Sequence, residues 1–327
     1  MKFQFSKNIS NEFISAKLDT NYKEYLKTSK KISQMADIKQ NLCYICNSKQ
    51  SIRICEFFGI QYRKCKKCSH LYANKRLSQK KLNEFYTKNK EYSERTYANK
   101  KMMKIREELF LPKIRFVKKF GKGKRWLDVG SADGAALVAI SKNGFTCKGI
   151  EISEKSRKFA QKFRNIDLYP NPLSTFIQEN ETIWDIISYF GVLHHLPDPI
   201  SELKLCNRIL KKNGILVIDG PNSESFSSYI QQYSGIADRH LVPYSHIMLF
   251  SLKSLEHALK KTGFKPIATW FYGMDIIEFL KYLMRSNNKF HQSNVFKFLK
   301  ENTNEFQKII DKQQMSDFFL VIAKKVK

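Results

Sequence analysis

The 327-residue chain has no run of about 18 apolar residues, so no segment reads as a membrane-spanning helix. Residues 1–40 lack the basic start and continuous apolar stretch of a secretory leader, and the chain is expected in the reducing cytoplasm. Neither an internal repeat nor a low-complexity linker is visible, and the length is expected to hold one sizeable α/β core and a smaller module. Arginine is scarce: 12 of 58 basic residues against 46 lysines, in a chain with 30 acidic residues and a formal charge of +28. Bidentate recognition of phosphate and guanine favours arginine. Lysine scattered along the whole chain beside abundant Asn, Ile and Phe is the bias an AT-rich genome produces, so a nucleic-acid partner ranks second to a small molecule.

Against these absences stands Trp126-Leu-Asp-Val-Gly-Ser-Ala-Asp-Gly134, followed by Lys148-Gly-Ile-Glu151. Residues 125–129 are apolar and β-branched enough for a buried strand, Gly130 and Gly134 bracket a turn, and residues 135–143 have the composition of a helix start. Without a Cβ, Gly130 lets the chain turn tightly and lets a ligand approach the main chain. Glu151 then ends the next strand, where ligands of open α/β sheets bind and where a carboxylate accepts hydrogen bonds from ribose hydroxyls. A dinucleotide fingerprint needs G-x-G-x-x-G, but here the spacing is Gly130-x-x-x-Gly134 with Ala132 between, and no lysine is placed for a phosphate loop. Asp133, inside the turn, reads as a further mark against a ligand bearing several negative charges.

These residues resemble the first motif of class I S-adenosylmethionine-dependent methyltransferases, and further matches follow in order. Glu151 resembles the family's ribose-binding acid. Trp184-Asp-Ile-Ile-Ser-Tyr-Phe-Gly-Val-Leu-His-His-Leu-Pro-Asp-Pro199 resembles its fourth strand and following loop, and Ile209-Leu-Lys-Lys-Asn-Gly-Ile-Leu-Val-Ile-Asp-Gly-Pro-Asn222 its turn into the fifth strand. The resemblance covers about residue 100 to the C terminus and departs at Ala132, where many members carry glycine; alanine still permits a tight turn. It implies an α/β fold: a Rossmann-like seven-stranded methyltransferase sheet with helices on both faces and a last strand inserted antiparallel between its neighbours. Strands are expected at 125–129, 147–150, 167–169, 185–189, 215–219, 265–272 and 318–324.

The implied cofactor is S-adenosylmethionine, with Asp128, Gly130, Ser131 and Gly134 around its methionine moiety and Glu151 on its ribose. Ile152 would flank the adenine, with Pro172 and Leu173 also near it, and Tyr189 and Phe190 would wall the sulfonium, an aromatic face being favourable to a cation. An oxygen acceptor also needs a general base, for which histidine is suited at neutral pH. His194 and His195 follow the fourth strand, while His240, Tyr244 and His246 lie in Arg239-His-Leu-Val-Pro-Tyr-Ser-His246, which resembles the family's acceptor-side loop. The expected reaction is methyl transfer to a small polar acceptor, a hydroxyl of a sugar, nucleotide sugar or related cell-surface or secondary-metabolite precursor. The alternatives are an RNA methyltransferase using its zinc ribbon and basic surface, or a non-catalytic S-adenosylmethionine-binding protein. Ser188-Tyr-Phe-Gly191 lacks the Asn/Asp-Pro-Pro-aromatic sequence of base-amine methyltransferases and the Pro-Cys of pyrimidine-carbon methylation.

Cysteine usage adds a second site. Cys43-x-x-Cys46 and Cys65-x-x-Cys68, 18 residues apart, have the spacing of two thiolate knuckles that close tetrahedrally around zinc. Four thiolates leave no open position, so the ion would be structural and would supply folding free energy of about 10–16 kcal/mol to a module too small to bury much core. Ile52, Ile54, Phe57, Phe58, Ile60 and Tyr62 between the pairs suit a short hairpin. His70 is near enough to compete for the metal, while Cys55, Cys147 and Cys206 read as buried apolar side chains. The segment through Phe85-Tyr86 resembles the zinc-ribbon leader of many bacterial small-molecule and sugar methyltransferases.

The expected organisation is a partly helical arm at 1–40, a zinc-ribbon module at 41–76, a helical connector at 77–123 broken near Pro112, and a methyltransferase domain at 124–327. That domain carries an insertion at 274–315, expected as two amphipathic helices that pack on the sheet, form a lid or dimer contact, or lie on a membrane.

Overall fold

The computed structural model describes residues 2–4, 22–88, 100–180, 183–287 and 289–326. Of the expected arm, residues 1 and 5–21 lie outside the described residues. In chain order the strands are β1 Lys2–Gln4, β2 Ile38–Lys39, β3 Ser51–Phe57, β4 Ile60–Cys65, β5 Leu71–Ala73, β6 Lys75–Arg76, β7 Arg125–Val129, β8 Thr146–Ile150, β9 Trp184–Phe190, β10 Leu210–Pro221, β11 Met248–Leu249, β12 Phe264–Tyr272 and β13 Phe318–Lys325. The helices are α1 Tyr22–Ser33, α2 Gln79–Lys88, α3 Lys100–Lys118, α4 Ala135–Lys142, α5 Glu154–Arg164, α6 Leu173–Glu179, α7 Pro199–Ile209, α8 Phe226–Ser234, α9 Leu252–Lys261, α10 Asp275–Ser286, α11 Asn294–Glu301 and α12 Thr303–Lys312.

The chain divides into two compact units, and the division does not follow it linearly. Residues 220–255 and 269–319 group with residues 1–77, while 78–219, 256–268 and 320–327 form the other unit. The principal sheet has seven strands in the order β1-β12-β13-β10-β9-β7-β8, with β13 inserted between β12 and β10 as the resemblance implies. Pairs β7–β8, β7–β9 and β9–β10 are parallel.

Six of the seven expected strands are present. The third, at 167–169, is reduced to one bridge between Ile150 and Tyr169, and the seventh place is taken by β1. Pro170 and Pro172 explain the truncation, because neither can donate to a ladder and the first directly follows the bridge.

In the unit of residues 78–219, β7 is buried from Trp126 to Val129 and α4 packs against β7 and β8. Helix α5 starts at Ser153, whose side chain accepts from the Ser156 N–H, and stops at Asn165 in the left-handed region. Helix α7 starts at Asp198, whose side chain accepts from the Ser201 N–H, with Pro199 supplying a first-turn residue that has no N–H to satisfy. Helix α3 runs unbroken through Pro112, contrary to the expected break; the ring removes one backbone bond, which the rest of the helix tolerates.

In the other unit, β3, β4, β5 and β11 form an antiparallel sheet. Phe58 (φ 55°) and Gly59 (φ 79°) make the tight β3–β4 turn, both with the positive φ that a twist-matched two-residue hairpin requires. The insertion contains three helices rather than two, because Asn302 separates α11 from α12. Ile276, Leu280 and Phe296 form its core, with Met284, Leu299 and Phe306 packed around them. No helix among the described residues is long and apolar enough to cross a membrane.

Candidate functional site

The turn after β7 is built from short-range backbone bonds. The N–H groups of Gly130 and Ser131 both donate to the Ile150 carbonyl, at 2.8 and 2.9 Å. Gly130 has φ 78°, and a Cβ there would lie 2.4 Å from Val192 Cγ2, so no other residue fits. Ala132 sits at φ 47°, in the left-handed region that costs an L residue about 1–2 kcal/mol. Its N–H donates to Glu151 Oε2 at 2.8 Å, while Glu151 Oε1 accepts from the Ser153 N–H at 2.7 Å.

A carboxylate has about four lone-pair sites, so these two bonds orient Glu151 and leave two sites for a vicinal diol. Burial raises the Glu151 pKa, and the N–H bonds from Ser153 and Ala132 oppose that rise. Ile152 beside it is 41% exposed.

Beneath the turn, the Ser131 hydroxyl donates to the Asp128 carbonyl at 2.9 Å. Asp128 Oδ1 accepts from the Ser188 hydroxyl at 2.6 Å, which in turn accepts from Trp126 Nε1 at 2.8 Å. Asp128 is 1% exposed, and burial pushes its carboxyl up to about 7, so it pins β7 to β9 from inside the fold.

Three expectations need correction here. Tyr189 is fully buried, with its hydroxyl donating to Glu202 Oε2 at 3.0 Å and lying 3.2 Å from Cys206 Sγ; it belongs to the core and cannot wall a sulfonium. Leu173 is 1% exposed in the first turn of α6 and cannot contact an adenine, whereas Pro172 before it is exposed. Asp133 is not a bare charge in the turn: it is buried and held by Arg164 Nη2 at 2.8 Å and Arg106 Nη2 at 3.2 Å, so it does not repel an anion as supposed. Arg164 also pairs with Glu107. The sequence carried no local signal for this network, since Arg164 lies 31 residues from Asp133.

Phe190 keeps a half-buried ring against Phe110, centroids 5.3 Å apart, with the Lys113 ammonium 5.8 Å from it. Lys113 itself pairs with buried Asp219 at 2.6 Å. His194 and His195 share one 3₁₀ turn, with ring centroids 4.0 Å apart and His194 the more buried of the two.

In the other unit, Cys43, Cys46, Cys65 and Cys68 converge with all four sulfurs within 4.8 Å of one another. Cys43 Sγ lies 3.5 Å from Cys68 Sγ, and Cys46 Sγ 3.5 Å from Cys65 Sγ. Tetrahedral zinc with bonds of about 2.3 Å separates its sulfurs by about 3.8 Å, so the cluster fits a structural zinc ion held by four thiolates. His70 does not compete: its buried ring lies 3.4 Å from the Ser254 hydroxyl through Nδ1 and packs against Phe250. Burial pushes the Cys55 and Cys147 thiols up to about 12 and about 11, consistent with unreactive side chains.

The expectation that the ribbon buries little core is also corrected. Phe57, Tyr62 and Leu71 of the ribbon share one cluster with Ala237, Leu241 and Leu249 of the histidine loop. Within that loop Arg239 has the strained φ of 29°, held by ion pairs from Nη1 to Asp317 Oδ2 at 2.6 Å and Glu278 Oε1 at 3.3 Å. His240 is 1% exposed, with Nε2 3.2 Å from Asp317 Oδ2; burial, then the Arg239 charge, lowers its pKa and keeps it neutral. His246 Nδ1 lies 3.0 Å from the His240 carbonyl oxygen, and His246 and Tyr244 are both half-buried.

A family model described as a methyltransferase domain matches residues 96–269. The chain is similar to the ubiquinone biosynthesis O-methyltransferase of Actinobacillus pleuropneumoniae, 32% identical over 104 residues that cover 29% of this chain and 44% of that one. The enzyme of the same name from Paracidovorax citrulli is 30% identical over 99 residues, 28% and 42% of the two chains. The chain thus spans less than half the length of these curated relatives. A solved structure of a SAM-dependent methyltransferase from Archaeoglobus fulgidus is similar at 20% identity and a TM-score of 0.47, over 76% of this chain and 100% of that one.

Proposed function

The chain belongs to the S-adenosylmethionine-dependent methyltransferase family, whose domain model covers more than half of it, and on that premise we propose that it methylates a hydroxyl oxygen of a small polar acceptor. The observation that carries this reading is Glu151, steered by two backbone N–H groups at the mouth of a glycine turn with lone pairs left for a ribose diol. When bound, S-adenosylmethionine supplies an electrophilic methyl on a sulfonium, and positioning supplies much of the rate. Glu151 holds the ribose, Gly130 admits the methionine moiety to the backbone, and Ile152 covers the adenine.

The acceptor hydroxyl would give up its proton to a histidine nitrogen as the sulfonium methyl is transferred and S-adenosylhomocysteine leaves. His195, His194 and His246 are our candidates, with Tyr244 as an acceptor contact, whereas His240, expected among them, is buried and held by Asp317 and is not one. The relatives' printed name, an O-methyltransferase of ubiquinone biosynthesis, supports an oxygen acceptor. The finer proposal is a carbohydrate-related hydroxyl, methylated in the cytoplasm, where the four thiols stay reduced. The +28 charge keeps RNA as the second reading.

Calorimetry with S-adenosylmethionine, followed by S-adenosylhomocysteine release across panels of sugar nucleotides, phenols and RNA, tests the proposal. No binding of the cofactor would refute it, and release with RNA alone would promote the second reading.

A further inference from the structure

We infer that the cysteine ribbon is a brace that fixes the position and tautomer of His246, with Tyr62 as the positioning residue. This rests on the zinc reading of the four cysteines and on His246 as a candidate base. Three kinds of contact join ribbon and loop. Ala237, Leu241 and Leu249 complete the ribbon's own core with Phe57, Tyr62 and Leu71. Residues 248–249 pair with β5 as a further strand, Met248 opposite Tyr72 and Leu249 opposite Leu71, and the Ala73 N–H donates to the Ile247 carbonyl at 2.9 Å. The Tyr62 hydroxyl donates to the carbonyl of His246 itself at 2.7 Å.

Tyr62 is fully buried, and that burial raises its pKa well above the ordinary value, so it remains a protonated donor. Both anchoring strands end close to metal ligands: Tyr62 precedes Cys65 by three residues on β4, and β5 begins three residues after Cys68. A metal that fixes the knuckles therefore fixes the strands from which the loop hangs.

The tautomer follows from which atoms meet. His246 Nδ1 faces the His240 carbonyl oxygen at 3.0 Å, and a carbonyl can only accept, so Nδ1 carries the proton. In the neutral ring the basic lone pair is then on Nε2, the nitrogen required of a base. The His240 end is fixed in turn by Asp317, which takes both His240 Nε2 and Arg239, while Arg239 holds its strained backbone. A loop carrying these residues without the ribbon would lose the Tyr62 bond, the β5 pairing and the shared core together.

Tyr62→Phe keeps the ring in the core and removes only the hydroxyl. In the full-length protein we expect it to retain one zinc per chain by elemental analysis and S-adenosylmethionine affinity within about twofold. Amide exchange across 240–247 should rise roughly tenfold, and ¹⁵N spectra of the ring of His246 should change from the Nδ1–H form to a mixture. Chelating the metal from the wild type should raise exchange over the same residues further. The brace is overturned if wild-type His246 shows the Nε2–H form, or if Tyr62→Phe leaves both exchange and tautomer unchanged. Loss of zinc or unfolding in Tyr62→Phe would shift the decision to the wild-type spectra and to chelation, where unchanged exchange again overturns it. Wild-type protein that binds no S-adenosylmethionine would refute the proposed function while the exchange and tautomer measurements still decide the brace.

Discussion

In the glycine turn the backbone bonds that orient Glu151 join residues 19 apart or fewer, Ala132 to Glu151 and Ser153 to Glu151. In the histidine loop the contacts join residues 184 apart, Tyr62 to His246, and 77 apart, His240 to Asp317. The carboxylate of the turn is therefore oriented by its own two strands, whereas the loop is shaped by a module encoded far upstream. A site made of short-range bonds should lose function through single local substitutions and keep its shape. One made of long-range bonds should lose its shape when a distant support is removed.

The largest effect expected is on the long-range side. Replacing Cys65 with Ser, or chelating the metal, should remove folding free energy on the order of 10 kcal/mol from the ribbon and make residues 51–73 and 237–249 sensitive to protease together. Elemental analysis finding no zinc in wild-type protein would break the comparison at its root.

Next comes a pH effect beneath the glycine turn. Asp128 titrates near 3.9 in an unfolded chain but near 7 in the fold, raised by burial. As pH rises above about 4 the unfolded state ionises first, so the contribution of the neutral carboxyl is full below that pH and is lost by about 7, at a cost of roughly 4 kcal/mol. Asp128→Asn should flatten this loss, and urea unfolding of both proteins at pH 5 and pH 8 measures it. Equal differences between the two pH values in both proteins would contradict it.

Third, Glu151→Ala should weaken S-adenosylmethionine binding by about 3 kcal/mol, roughly a hundredfold in Kd, because two hydrogen bonds to a charged group disappear. Calorimetry showing less than a threefold change would remove the ribose assignment. Smallest, Ala132→Gly should relieve left-handed strain of about 1–2 kcal/mol against a glycine entropy cost of roughly 0.5–1 kcal/mol. A net gain of about 0.5 kcal/mol in unfolding free energy is expected, and a loss would mean that the Ala132 methyl makes contacts worth more than its strain.

Much of this could be read from the chain. Six sheet strands follow from apolar runs and their turn residues, and the cysteine pairs announce their own convergence by spacing. The third strand failed because Pro170 and Pro172 outweighed its apolar pattern, and the break at Pro112 failed because the interior of α3 outweighed one proline. Tyr189 and Leu173 were misplaced for a common reason. Their positions near strand and helix ends suggested a crevice, but which way a side chain points at such an end is set by the neighbours that close over it, here Glu202 and Cys206 for Tyr189. The charges Arg106, Arg164 and Glu107 gathered around buried Asp133 left no trace in any window of sequence.

The sequence by itself determined the glycine turn, its carboxylate and the four-sulfur knuckles, because each depends on residue type and spacing within a short stretch where φ, hydrogen-bond reach and metal geometry are local quantities. Only the tertiary structure decided that Asp133 is neutralised, that Tyr189 is core, and that the ribbon's sheet and core are completed by residues 237–249. Those outcomes depend on which buried groups meet across 13 to 184 residues of chain, and only the folded chain brings such partners within hydrogen-bond reach.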